Sequence, residues 1–405
     1  MTPSLRVEVG PWLLRSVEPD LASHRALRGP LPRVSRQELL DLAHGSSLRG
    51  RGGAGFPFAA KLDATLATRS RRRHVVVNLS EGEPASAKDL ALVLHQPHLV
   101  LDGAALVAAA IGAREAHLVV PGEDPAAQAA ILRAVDERSR EERRLRWRVH
   151  TASAGFVSGE STAVVELVEG RENVPVTRWQ PTAVSGVGGR PTLLSNGETF
   201  AQLAALVLDH AAGRAVPGTA PEPGTRLLSI GQADGTIRVV EVPHGTAWSD
   251  VLSPAELAGP VLLGGYHGTW APPGLLAGLS VAHADLAAAG LGLGAGVVLP
   301  LADGSCPLRV TAGVTRYLAR QSAGRCGPCV HGLPTLATAL DAFLAGGPLE
   351  PVEQVLALVE GRGACAHPDG TARLVRSALL AFPAEVSAHG VGGCAAVQPA
   401  LAAAR

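Results

Sequence analysis

Two apolar periods alternate along the first half of the chain. Short β-branched or continuous apolar runs at Val75–Val77, Ala116–Val120 and Leu145–Val149 predict strands. Between them, Lys88–Ile111 and Pro125–Arg140 carry apolar residues at helical spacing. Strands alternating with helices predict an α/β unit with a largely parallel sheet. Upstream, a mixed lead-in holds one predicted helix at Ser35–Ala43. Downstream, the proline- and glycine-rich Pro217–Gly224 reads as a link. Beyond it, Arg226–Ile230, Thr236–Val242 and Val261–Leu263 predict short strands with glycine turns, a small β-rich module ending near Leu301. After Val310 the period is helical throughout, at Val314–Gln321, Leu333–Ala345, Val352–Leu358 and Thr371–Phe382. Short connections make this a helical bundle. The α/β fold class therefore divides into a lead-in (1–45), a strand–helix domain (46–218), a β-rich module (225–301) and a bundle (304–390).

Composition narrows the function. Aromatic residues make up 3% of the 405 positions, so alanine, glycine, leucine and valine fill the core. Formal charges cancel, which gives no footprint for nucleic acid. The arginines at 69 and 71–73 and the charges from Glu137 to Arg148 read as solvated faces. No apolar run reaches the ~18–20 residues of a membrane span. Met1–Glu18 lacks the basic start, apolar stretch and cleavage site of an export signal. The expected location is the cytoplasm, at most peripheral to a membrane complex. Five cysteines there are free thiols or metal ligands rather than disulfides, and all five lie beyond Leu301.

The richest motif is Leu48-Arg49-Gly50-Arg51-Gly52-Gly53-Ala54-Gly55-Phe56, followed by the helix start Ala59-Ala60-Lys61-Leu62. Glycines at such density let backbone amides approach a ligand, and amides ahead of a helix start surround a phosphate. On glycine content alone a flexible loop is equally good. A second run, Gly290–Gly296, leads into a predicted strand rather than a helix, which is wrong for a dinucleotide fingerprint. Asn78-Leu79-Ser80-Glu81-Gly82-Glu83-Pro84 ends a predicted strand, where open α/β sheets bind ligands. Its amide and carboxylates suit a polar heterocycle or ribityl chain, or an ordinary acidic helix start. Ser158-Gly159-Glu160-Ser161-Thr162 and Ser195-Asn196-Gly197-Glu198-Thr199 are weaker signals of the same kind. Cys326-Gly-Pro-Cys329, with Cys365 downstream, places two or three thiolates on one ion or cluster. The disulfide-exchange alternative needs a βα setting, whereas this pair precedes a predicted helix.

In this order and spacing the segments resemble the flavin-bearing, NADH-oxidising subunit of respiratory complex I and its relatives in NAD-linked hydrogenases and formate dehydrogenases, over roughly Gly45 to Phe382. The resemblance implies a Rossmann-like flavin domain, a ubiquitin-like β-grasp module and a helical bundle with an iron–sulfur cluster. It also implies FMN and NAD(H) as cofactors, with hydride passing to FMN and electrons leaving singly. Gly50, Gly52, Gly53, Lys61, Asn78, Glu81, Glu160, Asn196 and Thr199 fall on FMN-lining positions. Phe56 and Glu83 fall where the nicotinamide nucleotide is contacted, and Glu83 would orient the reacting ring as the catalytic group. Cys326, Cys329 and Cys365 fall on cluster-ligand positions. The implied partners are NADH and a ferredoxin or other iron–sulfur protein, with a thioredoxin-like or membrane redox subunit alongside.

Departures from the family's pattern qualify this. Ser80 replaces an aspartate, Ser161 a glutamate, Phe156 a tyrosine, Ser195 an asparagine, and Ala64 a phenylalanine beside the adenine. The flavin pocket is mostly kept and the nucleotide pocket thinned. Ala323 stands where the first cluster cysteine belongs. A three-iron cluster on the remaining thiols, a four-iron cluster with Cys306, Cys394, His331 or His367 as substitute ligand, and loss of the cluster all stay open. The rival function is a non-catalytic assembly or ligand-binding subunit that kept the fold.

Overall fold

The computed structural model describes residues 4–139 and 145–394. Ten strands lie among them: β1 (Leu5–Val7), β2 (His74–Asn78), β3 (Glu115–Pro121), β4 (Arg146–Ala152), β5 (Thr192–Asn196), β6 (Thr225–Gly231), β7 (Ile237–Pro243), β8 (Val261–Leu263), β9 (Thr269–Ala271) and β10 (Val297–Pro300). The expected α/β class is what forms.

Four strands make an all-parallel sheet in the order β4-β3-β2-β5. Both faces of the inner strands β2 and β3 are covered, which is why they are nearly continuous apolar runs, whereas the edge strand β4 is partly exposed and carries Arg146, Arg148 and His150. Val75, Val77, Leu118 and Val120 enter one core with the helices at 97–111 and 197–211. Val76 and Val119 enter a smaller one against the helix Ser161–Val168. The chain runs outward from β2 through β3 to β4, then returns to place β5 on the other side of β2. The strand order reverses between β2 and β5, and a crevice opens at the carboxyl ends of strands at such a point. Asn78 and Asn196 are register partners there.

The other six strands form a mixed sheet in the order β1-β7-β6-β10-β8-β9. Leu228, Ile230, Val240 and Val242 face the module's own core around Trp248. Neighbouring positions face outward: Leu227 and Val239 join the main core, and Leu262, Trp270 and Val297 join the bundle's core. The module thus packs between the parallel sheet's domain and the bundle.

Three expectations change. The helix expected over Lys88–Ile111 is two helices, Lys88–His95 and Pro97–Ile111, bent by 98°. Pro97 has no N–H to donate and disfavours helical geometry at Gln96 (φ −137°, ψ 44°), so the chain turns and restarts. The pair is apolar enough together to pass as a bent span, but its apolar faces are packed in the main core. Among the described residues no single helix is long and apolar enough to cross a membrane.

The lead-in, expected to stand apart, belongs to the mixed sheet, since β1 pairs in parallel with β7. The Glu241 carboxylate on β7 accepts the amides of Trp12 (3.1 Å), Leu13 (2.7 Å) and Leu14 (3.0 Å). Nor are the basic stretches uniformly solvated. Arg138 is buried against Asp102, which also bonds His24 Nε2 at 2.7 Å. Burial alone would push the Asp102 carboxyl up, but Arg138 and His24 outweigh it and hold it below its ordinary value. Residues 140–144 of the expected Pro125–Arg140 helix and its charged sequel lie outside the described residues.

Candidate functional site

The glycine loop is closed at its neck. Gly50 N–H donates to Phe56 O (2.8 Å) and Phe58 N–H to Leu48 O (2.8 Å), delivering the chain into the helix Phe58–Ala67. Gly53 (φ 109°) and Gly55 (φ 60°) sit in the left-handed region, and a Cβ at either would meet nothing within 4 Å. The loop is open above, with backbone available to a ligand. Phe56 is 50% exposed beside it. The loop rests on the switch point: Arg51 N–H donates to Thr199 Oγ1 (3.0 Å), and Gly52 approaches Asn196 Cβ. Lys61 Nζ crosses to Leu194 O on β5 (3.2 Å), and burial pulls its ammonium below the usual range.

Below the loop a buried polar network fixes the strand ends. Asp89 accepts from Lys88 Nζ (2.5 Å), Asn196 Nδ2 (3.1 Å) and Glu198 N–H (2.7 Å). Lys88 also lies 3.5 Å from Glu198. Burial opposes the Lys88 charge, yet Asp89, Glu198 and Glu81 together raise its affinity for the proton. Asn78 donates to Gly159 O (2.8 Å) and accepts from Ser80 Oγ (2.6 Å), so Ser80 is bonded into the turn that follows β2. Glu81 accepts from Ser86 Oγ (2.6 Å) and Leu90 N–H (2.9 Å), and burial beside Asp89 raises its pKa. Glu160 caps the helix Ser161–Val168, accepting from Ser161 Oγ and Thr162 N–H. Its carboxylate is occupied by that cap rather than turned free into the crevice.

Glu83 leaves this group and reaches the module. Its carboxylate accepts Tyr266 N–H at 2.8 Å, and burial pushes its pKa up to about 7, with Glu81 adding to the rise. Gly265 (φ 86°) makes room: a Cβ there would fall 2.5 Å from Glu83 Oε2. Gly265→Ala is therefore expected to cost about 1–3 kcal/mol of stability through strain and overpacking, read as a lowered unfolding midpoint. An unchanged midpoint would contradict that close approach.

Three of the five cysteines gather in the helical bundle. Cys326 and Cys329 lie around a turn of π-helix (Pro328–Gly332) and Cys365 just ahead of the helix His367–Ala381. All three line one pocket, and Ala323, Arg325 and His367 share its wall. Burial, followed by Cys326 and Cys365, pushes the Cys329 thiol up to about 12. Between Glu83 and this pocket stands a ring cluster: Phe156 lies 4.6 Å from His267 and 5.6 Å from His367, and Tyr266 lies 5.5 Å from Tyr317.

The substitute fourth ligands fare poorly. His367 is committed, Nδ1 to His267 Nε2 (3.1 Å) and Nε2 to Leu318 O (2.9 Å). His331 is exposed. Cys306 and Cys394 are grouped with Glu385 and His389, away from the pocket wall.

Two residue sets thus have distinct fits. The open loop, Lys61 and the Asn78–Asn196 pair suit a phosphate-bearing flavin. Three thiols around one pocket suit a cluster with three protein thiolates and fall one short of four. Sequence reasoning passed over Tyr266, and it saw Lys88-Asp89 behind the Asn78–Pro84 turn and Glu198 within the Ser195–Thr199 motif without giving Asp89 or Glu198 a role in the site.

Comparison with known proteins agrees with this layout. Residues 43–205 match the Nuo51 FMN-binding domain, and residues 309–389 match the NADH-ubiquinone oxidoreductase-F iron–sulfur binding region. The chain is 30% identical to an NADH-quinone oxidoreductase subunit of Rhizobium meliloti (strain 1021), over 94% of this chain and 97% of that one. It is 27% identical to the NADP-reducing hydrogenase subunit HndC of Solidesulfovibrio fructosivorans, over 87% and 76%. A crystal structure of NAD+-reducing [NiFe]-hydrogenase in the H2-reduced state superposes with a TM-score of 0.81 at 27% identity, covering 96% of this chain and 68% of that one. The fold and its switch-point crevice define an oxidoreductase of the flavin-bearing electron-transfer class. Within that class, the chain belongs to the Nuo51 family of NADH-quinone oxidoreductase subunits, whose cofactors are FMN, NAD(H) and an iron–sulfur cluster.

Proposed function

We propose that the chain takes electrons from NADH through FMN and delivers them singly to an iron–sulfur acceptor, a separate ferredoxin or a redox subunit of a membrane complex. The observation that carries this is the glycine loop seated on the β2/β5 switch point, with Asn78 and Asn196 as register partners beneath it. FMN, when bound, accepts a hydride and releases electrons one at a time. Gly50, Gly52 and Gly53 would offer amides to its phosphate, and Lys61 a nearby positive charge. Asn78, Glu81, Asn196 and Thr199 would order the polar edge of the flavin and its ribityl chain, with Glu160 holding the adjoining helix end in place. Exposed Phe56 would pack against the nicotinamide nucleotide, and Glu83 would hydrogen-bond it in the reacting orientation. Cys326, Cys329 and Cys365 would hold the cluster. The domain scheme is a flavin and nucleotide unit at 46–218, a β-grasp module at 225–301 and a cluster bundle at 304–390.

The direct test is the colour of the purified chain. A yellow flavin band that bleaches with anaerobic NADH is expected; failure to take up FMN on reconstitution would refute the reading. Ala323 favours a second one, a subunit that kept the fold as a scaffold, and that reading predicts a colourless chain.

Glu83 supplies a pH signature. Its pKa is about 7 in the folded chain against 4.5 ordinarily. Through that window the folded state keeps a proton that the unfolded state has lost. This group's contribution to stability is therefore complete below about 4.5 and lost as pH rises through about 7. Glu83→Gln is expected to flatten that slope in thermal unfolding and to raise the NADH concentration for half-maximal bleaching by about tenfold. The same slope in both proteins would remove Glu83 from the account.

A further inference from the structure

We propose a second metal site, separate from the three-cysteine pocket, in which Cys306, Glu385, His389 and Cys394 bind one zinc ion and lock the bundle's first helix to its last. One donor atom from each residue lies within 4.8 Å of all the others. Such a set of two sulfurs, one imidazole nitrogen and one carboxylate oxygen fits tetrahedral zinc; hard cations such as magnesium or calcium take oxygen donors instead.

The backbone brings these donors together from three directions. Cys306 is the N-cap of the helix Pro307–Arg320 and is 1% exposed. Glu385 and His389 stand four residues apart on the helix Pro383–Gly390, and so share a face. Beyond that helix the chain folds back: Gly392 N–H donates to His389 O (3.0 Å) and Gly393 N–H to Ala388 O (2.9 Å), which returns Cys394 to the group.

His389 is held as a ligand. Its Nδ1 faces Leu344 O at 3.3 Å, and its Nε2 points at Cys306 Sγ, also 3.3 Å away. A backbone carbonyl on one ring nitrogen fixes the tautomer that leaves the other free for a metal. Cys306 Sγ also lies 3.8 Å from Glu385 Oε2. Four protein donors leave no open position, so the site is structural rather than catalytic. It ties the element that follows the β-rich module to the end of the described chain and so braces the bundle that carries the three-cysteine pocket.

The test uses the full chain, purified under reducing conditions with zinc and then desalted. About one equivalent of zinc is expected, falling at least tenfold in Cys306→Ser and in Cys394→Ser while remaining in Cys326→Ser. With cobalt(II) as the probe, a tetrahedral thiolate spectrum is expected in the wild type, weakened in either variant. Should the serine variants fail to fold, Glu385→Gln keeps the thiols and the helix and is expected to weaken zinc binding by about tenfold or more. Zinc that never exceeds a tenth of an equivalent, a Cys306–Cys394 disulfide by thiol titration, or zinc binding undiminished in the folded variants would overturn the proposal. Zinc lost from Cys326→Ser alone would reassign the metal to the other pocket and likewise overturn it.

Discussion

Replacing Asp89 by alanine is expected to destabilise the chain by roughly 3–5 kcal/mol and to abolish flavin retention. Asp89 is 3% exposed and Lys88 2%. Removing the carboxylate leaves the Lys88 ammonium with only Glu198, 3.5 Å away, and Glu81 to offset its charge, in a setting that cannot solvate it. It also leaves Asn196 Nδ2 and the Glu198 N–H without the acceptor Asp89 gives them, although Asn196 Oδ1 keeps its bond from Thr199 Oγ1. The loss is local to the crevice, because Thr199, one residue beyond Glu198, carries the glycine loop through the Arg51 amide. Denaturant unfolding measures the first effect and flavin absorbance after gel filtration the second. Asp89→Asn keeps an acceptor and loses the charge, so it should fall between wild type and Asp89→Ala. A loss below about 1 kcal/mol for Asp89→Ala, the scale of an exposed ion pair, would show that the network carries little.

Ala323→Cys is expected to raise bound iron from about three to about four atoms per chain, with sulfide unchanged at about four. The Ala323 side chain already lines the pocket shared by Cys326, Cys329 and Cys365. The turn that holds it is set by Gly324 (φ 66°) and by the Gly324 amide on Ser322 Oγ (3.0 Å), neither of which the substitution touches. A sulfur added to that methyl is expected to reach the pocket. Iron and sulfide analysis of the two proteins, prepared anaerobically, decides the matter. Near-zero iron in both would mean that the pocket no longer assembles a cluster, and would favour the scaffold reading.

The sequence carries local chemistry better than long-range pairing. The glycine loop, the acidic turn after β2 and the cysteine pair were legible because each is a contiguous motif whose residue types have few other uses. Strands β2, β3 and β4 of the parallel sheet were legible from their apolar runs, whereas β5, whose Ser195 and Asn196 read as part of a polar motif, was not. The helix break at Pro97 was written in the sequence too, but the apolar period ran through it and outweighed the proline. Partners far apart were not legible. Nothing near Glu241 announces that it holds the amides of Trp12–Leu14, and Arg138 looked solvated because its partner Asp102 lies in another helix. Cys306 and Cys394 failed as cluster ligands for the same reason: their neighbours are set by how the last helix returns to the first, which spacing does not encode. A row of histidines, His74 to His117 (3.2 Å) to His150 (3.0 Å), likewise appears only once three strands are aligned.

The pairing of β1 with β7 bears on the order in which the protein is made. Leu5 leaves the ribosome long before its register partner Ile237. At about 5–20 residues per second the delay is roughly ten to fifty seconds. Throughout that interval the first strand, and the Trp12–Leu14 segment behind it, have no sheet edge to join and no Glu241 to meet their amides. The parallel sheet is complete once Asn196 has emerged, so the flavin domain can organise while its own amino terminus still hangs free. Strand β1 and the Trp12–Leu14 segment are then among the last parts to find their place, and the edge of the second sheet that β1 forms closes late.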